Sequence, residues 1–154
     1  MPRKSSTPRR LVADGRTYLW TLLHSHDVTD QGRICRETLR LHPQPAGSTG
    51  TLRIVFTEEP GRFVPGGAPF GSGDVGLTSG ASLNLHEPGA VRALLDEAWA
   101  RGWRPEGQRS VEIDGWSLLE AAASARAAQG GAGEGRAAPA VTGNPDGAGA
   151  PRPN

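Results

Sequence analysis

Asp14-Gly15 lies between two runs that read as strands, Leu11-Val12-Ala13 and Arg16-Thr17-Tyr18-Leu19-Trp20-Thr21-Leu22-Leu23. A two-residue type I′ turn needs positive φ at both central positions, which glycine adopts freely and aspartate tolerates. The spacing therefore predicts a tight hairpin and commits the chain to antiparallel pairing from its first strand. On the second strand Tyr18, Trp20 and Leu22 share one face, while Thr17, Leu19, Thr21 and Leu23 share the other.

A third strand fits Ile34 to Leu41 and a fourth fits Thr51 to Phe56, with the Pro- and Gly-rich Pro43 to Gly50 as their hairpin loop. Cys35, Leu39 and Leu41 fall on one face of the third strand, and Leu52, Ile54 and Phe56 on one face of the fourth. Arg36, Thr38 and Arg40 fall opposite, with Arg53. This is the alternation of an antiparallel sheet with one wet face. Glu37 breaks it, because it stands on the apolar side of its strand. Pro60 to Gly80, rich in Gly and Pro, reads as a long mobile loop, and Ser82 to Leu85 as a short strand.

Pro88 suits the first position of a helix. Val91, Leu94, Leu95, Ala98 and Trp99 recur at helical spacing and form one apolar stripe. Arg92, Asp96, Glu97 and Arg101 face outward, with Glu97 and Arg101 in the favourable acid-first i, i+4 order. Gly102 supplies a left-handed stop, and Pro105 prevents resumption. A fifth strand at Ser110 to Ile113 follows, and Asp114 caps a final Ala-rich helix from about Trp116 to Ala128. The expected fold is α+β: an antiparallel β-meander of about four strands with a helix packed on one face, then a fifth strand and a C-terminal helix.

Residues 9–128 form the one expected domain. Residues 1–8 are expected to be a short disordered basic tail. Residues 129–154 hold one large aliphatic side chain, Val141, and no aromatics, too little apolar surface to offset the entropy of ordering, so a disordered tail is expected. The net charge of +1 comes from the first tail, since residues 9–128 carry thirteen arginines against fourteen acids. A nucleic-acid-binding domain is expected to be basic in its own right. A lone cysteine, Cys35, excludes an internal disulfide, and no apolar run is long enough to span a membrane. A cytoplasmic location with no membrane partner is expected.

Two stretches carry a resemblance. Val12 to Trp20 reads V-x-x-G-x-x-Y-x-W. Pro88-Gly89-Ala90-Val91-Arg92-Ala93-Leu94-Leu95, followed by Gly102-Trp103-Arg104-Pro105, reads P-x-x-V-x-x-L-L and G-W-x-P. Together they resemble a group of small uncharacterised bacterial proteins of actinomycete-type genomes. The likeness covers roughly Arg9 to Glu120. Its motifs mark a turn, a helix start, a helix stop and core aromatics, and it implies no catalytic or binding residue.

Residues with chemical potential are few. Gly71-Ser72-Gly73-Asp74-Val75-Gly76 matches G-x-G-x-x-G, but a dinucleotide site needs that loop between a buried strand and a helix. No cofactor is expected. Glu87 reads as an acidic helix start, occupying the place an anion would take. His24 and His26 share a face only if the second strand runs that far, with Cys35 on the neighbouring strand. Asp27, Thr29, Asp30 and Gly32 indicate a chain already turning, so no metal site is expected. His86, Ser82 and Glu87 are close in sequence but form no recognisable catalytic set, and no catalytic residue is assigned.

The expected function is a non-enzymatic protein-binding or regulatory module. Its binding surface is expected to combine Phe63 and Phe70 of the 60–80 loop with the outward row Arg36, Arg40 and Arg53. The alternative is a nucleic-acid-associated protein using the same arginine face, and a small enzyme stands third. Trp99 is expected in the core, and core packing is the default for Trp103 and Trp116.

Overall fold

The computed structural model describes residues 7–47, 50–65, 73–107 and 109–134. Among these residues the chain forms β1 (Arg9–Ala13), β2 (Arg16–Thr29), β3 (Gly32–Pro43), β4 (Leu52–Thr57), β5 (Arg62–Phe63), β6 (Asp74–Leu77) and β7 (Ser82–Asn84). Helix α1 (Pro88–Ala100), strand β8 (Val111–Asp114) and helix α2 (Trp116–Glu134) complete the order. The fold is α+β. One sheet runs β1-β2-β3-β4-β8 and a smaller one runs β5-β6-β7.

The first hairpin forms as its turn chemistry dictates, with Asp14 at φ 48° and Gly15 at φ 75°. Strands β1 to β4 pair antiparallel, whereas β8 pairs parallel to β4, with Ile54 opposite Ile113. A parallel neighbour needs a crossover, and here the small sheet and α1 supply it.

The β2–β3 hairpin is longer than the sequence suggests. Asp27 to Gly32 is not a turn as a whole: pairing continues to Thr29 opposite Gly32, and only Asp30 and Gln31 lie between the strands. From His26 to Ile34 both faces are exposed, so backbone pairing sustains this part without an apolar alternation to announce it.

Tyr18, Trp20, Leu39, Leu41, Leu52, Ile54 and Phe56 are all buried and form the sheet's contribution to the core. Both helices pack on this face. Tyr18 meets Trp99 of α1 and Trp103 just beyond it at ring distances of 6.4 and 6.5 Å, and Phe56 meets Trp116 of α2 edge-on at 5.1 Å. Trp103 and Trp116 are therefore core residues, whereas Trp99, expected in the core, is half-buried and packs against its margin. Gly115 has no room for a side chain, since a Cβ there would meet the Phe56 ring at 2.5 Å.

Helix α1 buries Ala90, Val91, Ala93, Leu94, Leu95 and Ala98. Each large aliphatic side chain so buried contributes about 1.5–3 kcal/mol. Gly102, at φ 101°, ends the helix, its N–H donating to the Trp99 carbonyl. The exposed face differs from expectation. Arg92 pairs with Asp96 at 2.8 Å, in the basic-first order, and Arg101 reaches across to the Ser117 carbonyl of α2. Asp114 caps α2 as expected, its Oδ1 accepting from the Trp116 N–H at 3.2 Å. That helix runs on past Ala128 to Glu134, so its last turns occupy the start of the expected tail. Residues 135–154 and 1–6 lie outside the described residues.

The 60–80 segment is not one long loop. It holds β5 and β6, which pair with each other, β6 pairing in turn with β7, and its Val64 and Val75 enter the core. Strands this short, with glycines in and around them, offer no period to read.

Candidate functional site

The helices occupy one face of the five-stranded sheet, and among the described residues no helix covers the other. The uncovered face carries Leu19 and Leu23 from β2, then Arg36, Thr38 and Arg40 from β3, then Arg53 and Val55 from β4. The expected arginine row is present. Arg40 stands directly opposite Arg53 in the β3–β4 ladder. Thr38 is buried, contrary to its reading as solvated, standing between Leu23 and Val55 in the two ladders.

The three arginines differ in charge balance. Arg36 has Asp27 at 3.6 Å, and Arg53 has Glu112 of β8 at 3.2 Å. Arg40 makes no ion pair among the described residues, and the Nε–H groups of Arg40 and Arg53 are buried without a partner there. His42, farther along the same strand, bonds Thr51 at 3.0 Å, and burial together with the Arg40 charge holds its pKa below 6.5.

Phe63 lies elsewhere. It sits on β5, 38% exposed, at the mouth of a cleft of about 760 Å³ between the small sheet and Arg126 of α2. The structure does not bring it onto the arginine face. Phe70 lies outside the described residues.

Glu37, on the apolar side of its strand, has a partner that strand alternation alone does not reveal. Register places His24 of β2 directly opposite Glu37, on the core side, with Phe56 on the other flank. Glu37 is 3% exposed, and its carboxylate meets His24 Nδ1 at 2.5 Å. Burial pushes its pKa above 4.5, opposed by the hydrogen bond and charge of His24 and by the charge of His86. This is the one buried carboxylate among the described residues. Such a group can hold a proton at a pH where ordinary carboxylates have lost theirs.

Gly71 and Ser72 lie outside the described residues, and Asp74 opens a strand, not a helix, so G-x-G-x-x-G lacks the context a pyrophosphate requires. His24 and His26 do share a face, with Cys35 opposite His26, but His26 is exposed and Cys35 is buried. Among the described residues no three His, Cys, Asp or Glu converge on a metal position. Glu87 precedes α1 and pairs with Arg126 of α2 at 3.2 Å. The His86 N–H donates to Asn84 Oδ1. No described helix is long and apolar enough to cross a membrane.

Comparison with known proteins finds no matching family model, no matching curated protein and no matching solved structure.

Proposed function

We propose that this protein is a binding module and that it receives an acidic protein surface on the uncovered face of its five-stranded sheet. The observation that carries this reading is the Arg40–Arg53 pair. Like charges directly opposite in a ladder repel, and Arg53 alone of the two has a carboxylate beside it. A carboxylate from a partner would complete the set, held by the planar fork of the Arg40 guanidinium. Half-buried Leu19 and Leu23, with the more exposed Val12, provide apolar area around it.

Two further observations support a protein partner over the alternatives. Sheet-based nucleic-acid binders stack bases on outward aromatics, whereas Tyr18 and Trp20 are buried on the opposite face. Catalysis by Glu37 would need substrate access that a residue 3% exposed does not offer.

The test is recovery of native partners from cell extract with the wild-type protein and with Arg36→Ser, Arg40→Ser and Arg53→Ser combined. Partner loss in a variant with unchanged circular dichroism supports the reading. Equal recovery overturns it. Loss of the captured material on nuclease treatment would instead favour nucleic acid.

A further inference from the structure

The connection from α1 to β8 encloses a groove of about 740 Å³ beside the last strand of the sheet. Its apolar wall is Trp103, Val111 and Ile113, and its rim carries Arg101, Arg104 and Arg109. No acidic residue is among those described as lining it. Backbone oxygens hold two of the guanidinium groups: Arg101 donates to the Ser117 carbonyl, and Arg104 to the Trp99 and Trp103 carbonyls at 2.8 Å each. None of the three arginines makes an ion pair among the described residues. Three uncompensated cations therefore rim an apolar surface.

The groove also borders a strand edge. Val111 N–H donates to the Thr51 carbonyl at 2.9 Å and Gly115 N–H to the Val55 carbonyl at 2.7 Å. The odd positions of β8 thus face β4, and the alternation of a parallel ladder turns the backbone N–H and C=O of Glu112 away from it. Strand β8 ends the sheet order, so among the described residues no strand meets this edge.

We propose that the groove takes an extended acidic segment of a partner protein, added as a strand along the edge of β8. Its aliphatic side chains would lie on exposed Val111 and half-buried Ile113, beside the small edge of Trp103 that remains open. Its carboxylates, on the same face of the added strand, would meet the arginine rim. Strand addition supplies main-chain hydrogen bonds, and the alternating pockets supply the selection. Because β8 has only four residues, the edge alone is short, and the three arginines must provide much of the recognition. Nucleic acid fits less well, since Trp103 is 8% exposed and offers no face to a base. The chain beyond Glu134 carries a single acid, Asp146, and is a poorer match to three cations. This inference is independent of the Arg40 face.

The experiment is fluorescence anisotropy of a labelled heptapeptide, Glu-Thr-Val-Thr-Glu-Thr-Val, titrated with the full chain. Saturable binding that weakens as salt is raised is expected. Arg109→Ser should weaken it about tenfold or more, the loss of one charge-assisted contact. Glu112→Pro removes the outward N–H and should weaken binding by about tenfold as well, while Glu112→Gln should leave it within roughly twofold. If Glu112→Pro does not fold, Arg109→Ser still decides, because that side chain has no partner among the described residues.

No saturable binding up to about 1 mM would overturn the proposal. So would equal affinity for a peptide with lysine in place of glutamate, or insensitivity to Arg109→Ser. Binding lost in Arg40→Ser but kept in Arg109→Ser would move the peptide to the sheet face and overturn the groove. Truncation after Glu134 that tightens binding about tenfold would assign the groove to the chain's own tail and overturn the partner.

Discussion

Replacing Glu37 with leucine should stabilise the protein, and increasingly so as pH rises. Glu37 is 3% exposed, with Phe56 on one flank and Leu39 two residues along the same face. Keeping it charged there costs several kcal/mol after relaxation. The hydrogen bond to His24 returns about 1.5–3 kcal/mol. A buried leucine would add about 1.5–3 kcal/mol of its own. His24 is one-third exposed, so water can satisfy it in the variant. The hydrogen-bond and leucine contributions roughly cancel, and relief of the burial penalty leaves a gain of about 1–4 kcal/mol at neutral pH, the range for replacing a buried charged group by an apolar one. At this chain length that is roughly 3–6 °C in Tm per kcal/mol.

The pH dependence gives the sharper test. Glu37 holds its proton more tightly folded than unfolded, so its folded pKa lies above 4.5. The unfolded chain releases this proton first as pH climbs. The wild-type protein therefore loses stability through the window from 4.5 up to the raised value, while the leucine variant does not. Facing the carboxylate are His24 from β2 and His86 from the turn before α1, both of which oppose the shift without reversing it. Urea unfolding of both proteins at several values between about pH 4 and 7.5 measures the difference. A constant difference across that range, or a variant less stable by over about 1 kcal/mol at neutral pH, would refute the reasoning.

Leu95→Ala should cost about 2–5 kcal/mol, the range for emptying a closed leucine site, and Arg92→Ala under about 1 kcal/mol despite its pairs with Asp96 and Asp14. Equal losses in urea titrations would mean that the stripe on α1 is wrongly phased. Gly115→Ala should cost about 1–3 kcal/mol, because its methyl would have to displace the Phe56 ring, and a neutral result would show that the ring can shift freely. Arg40→Ser should raise the His42 pKa towards 6.5, read by NMR titration of the ring, since one of the two causes holding it down is removed. An unmoved His42 would separate the two residues electrostatically.

What was legible in the sequence is what local chemistry decides. Asp14-Gly15 allows few conformations other than the tight turn it makes. Val91, Leu94, Leu95 and Ala98, closed by Gly102, leave little choice of helix face or end. Asp114 stands where a cap must stand. The small sheet was not legible, because β5 has two residues and β6 has four, too few to show a period. The acid–imidazole pair was half legible. Glu37 announced itself by standing on the apolar side, but its partner depends on the hairpin register. With the turn at Asp30-Gln31, pairs are symmetric about it, and His24 falls opposite Glu37. The turn-forming composition of Asp27 to Gly32 masks that symmetry, because only Asp30 and Gln31 of it turn. The binding surfaces depend on which faces the helices leave uncovered, and no local pattern encodes that.

The parallel placement of β8 has a consequence for how the chain assembles and how it fails. Strands β1 to β4 are successive neighbours and can zip from turn to turn. Strand β8 reaches β4 only after about fifty intervening residues have been laid across the core, so its loop-closure cost is the largest in the sheet. It also has only four residues with which to offset that cost. During synthesis and refolding, β4 therefore waits as the edge of an incomplete sheet. Its sequence, Leu52-Arg53-Ile54-Val55-Phe56-Thr57, joins high strand propensity to a single charge, the composition that recruits another copy of itself. Arg53 is the only gatekeeper on that edge, and its partner Glu112 arrives with β8 itself. Ile113→Pro, which removes the N–H that faces β4, would loosen β8 and leave that edge open, and aggregation should rise with it.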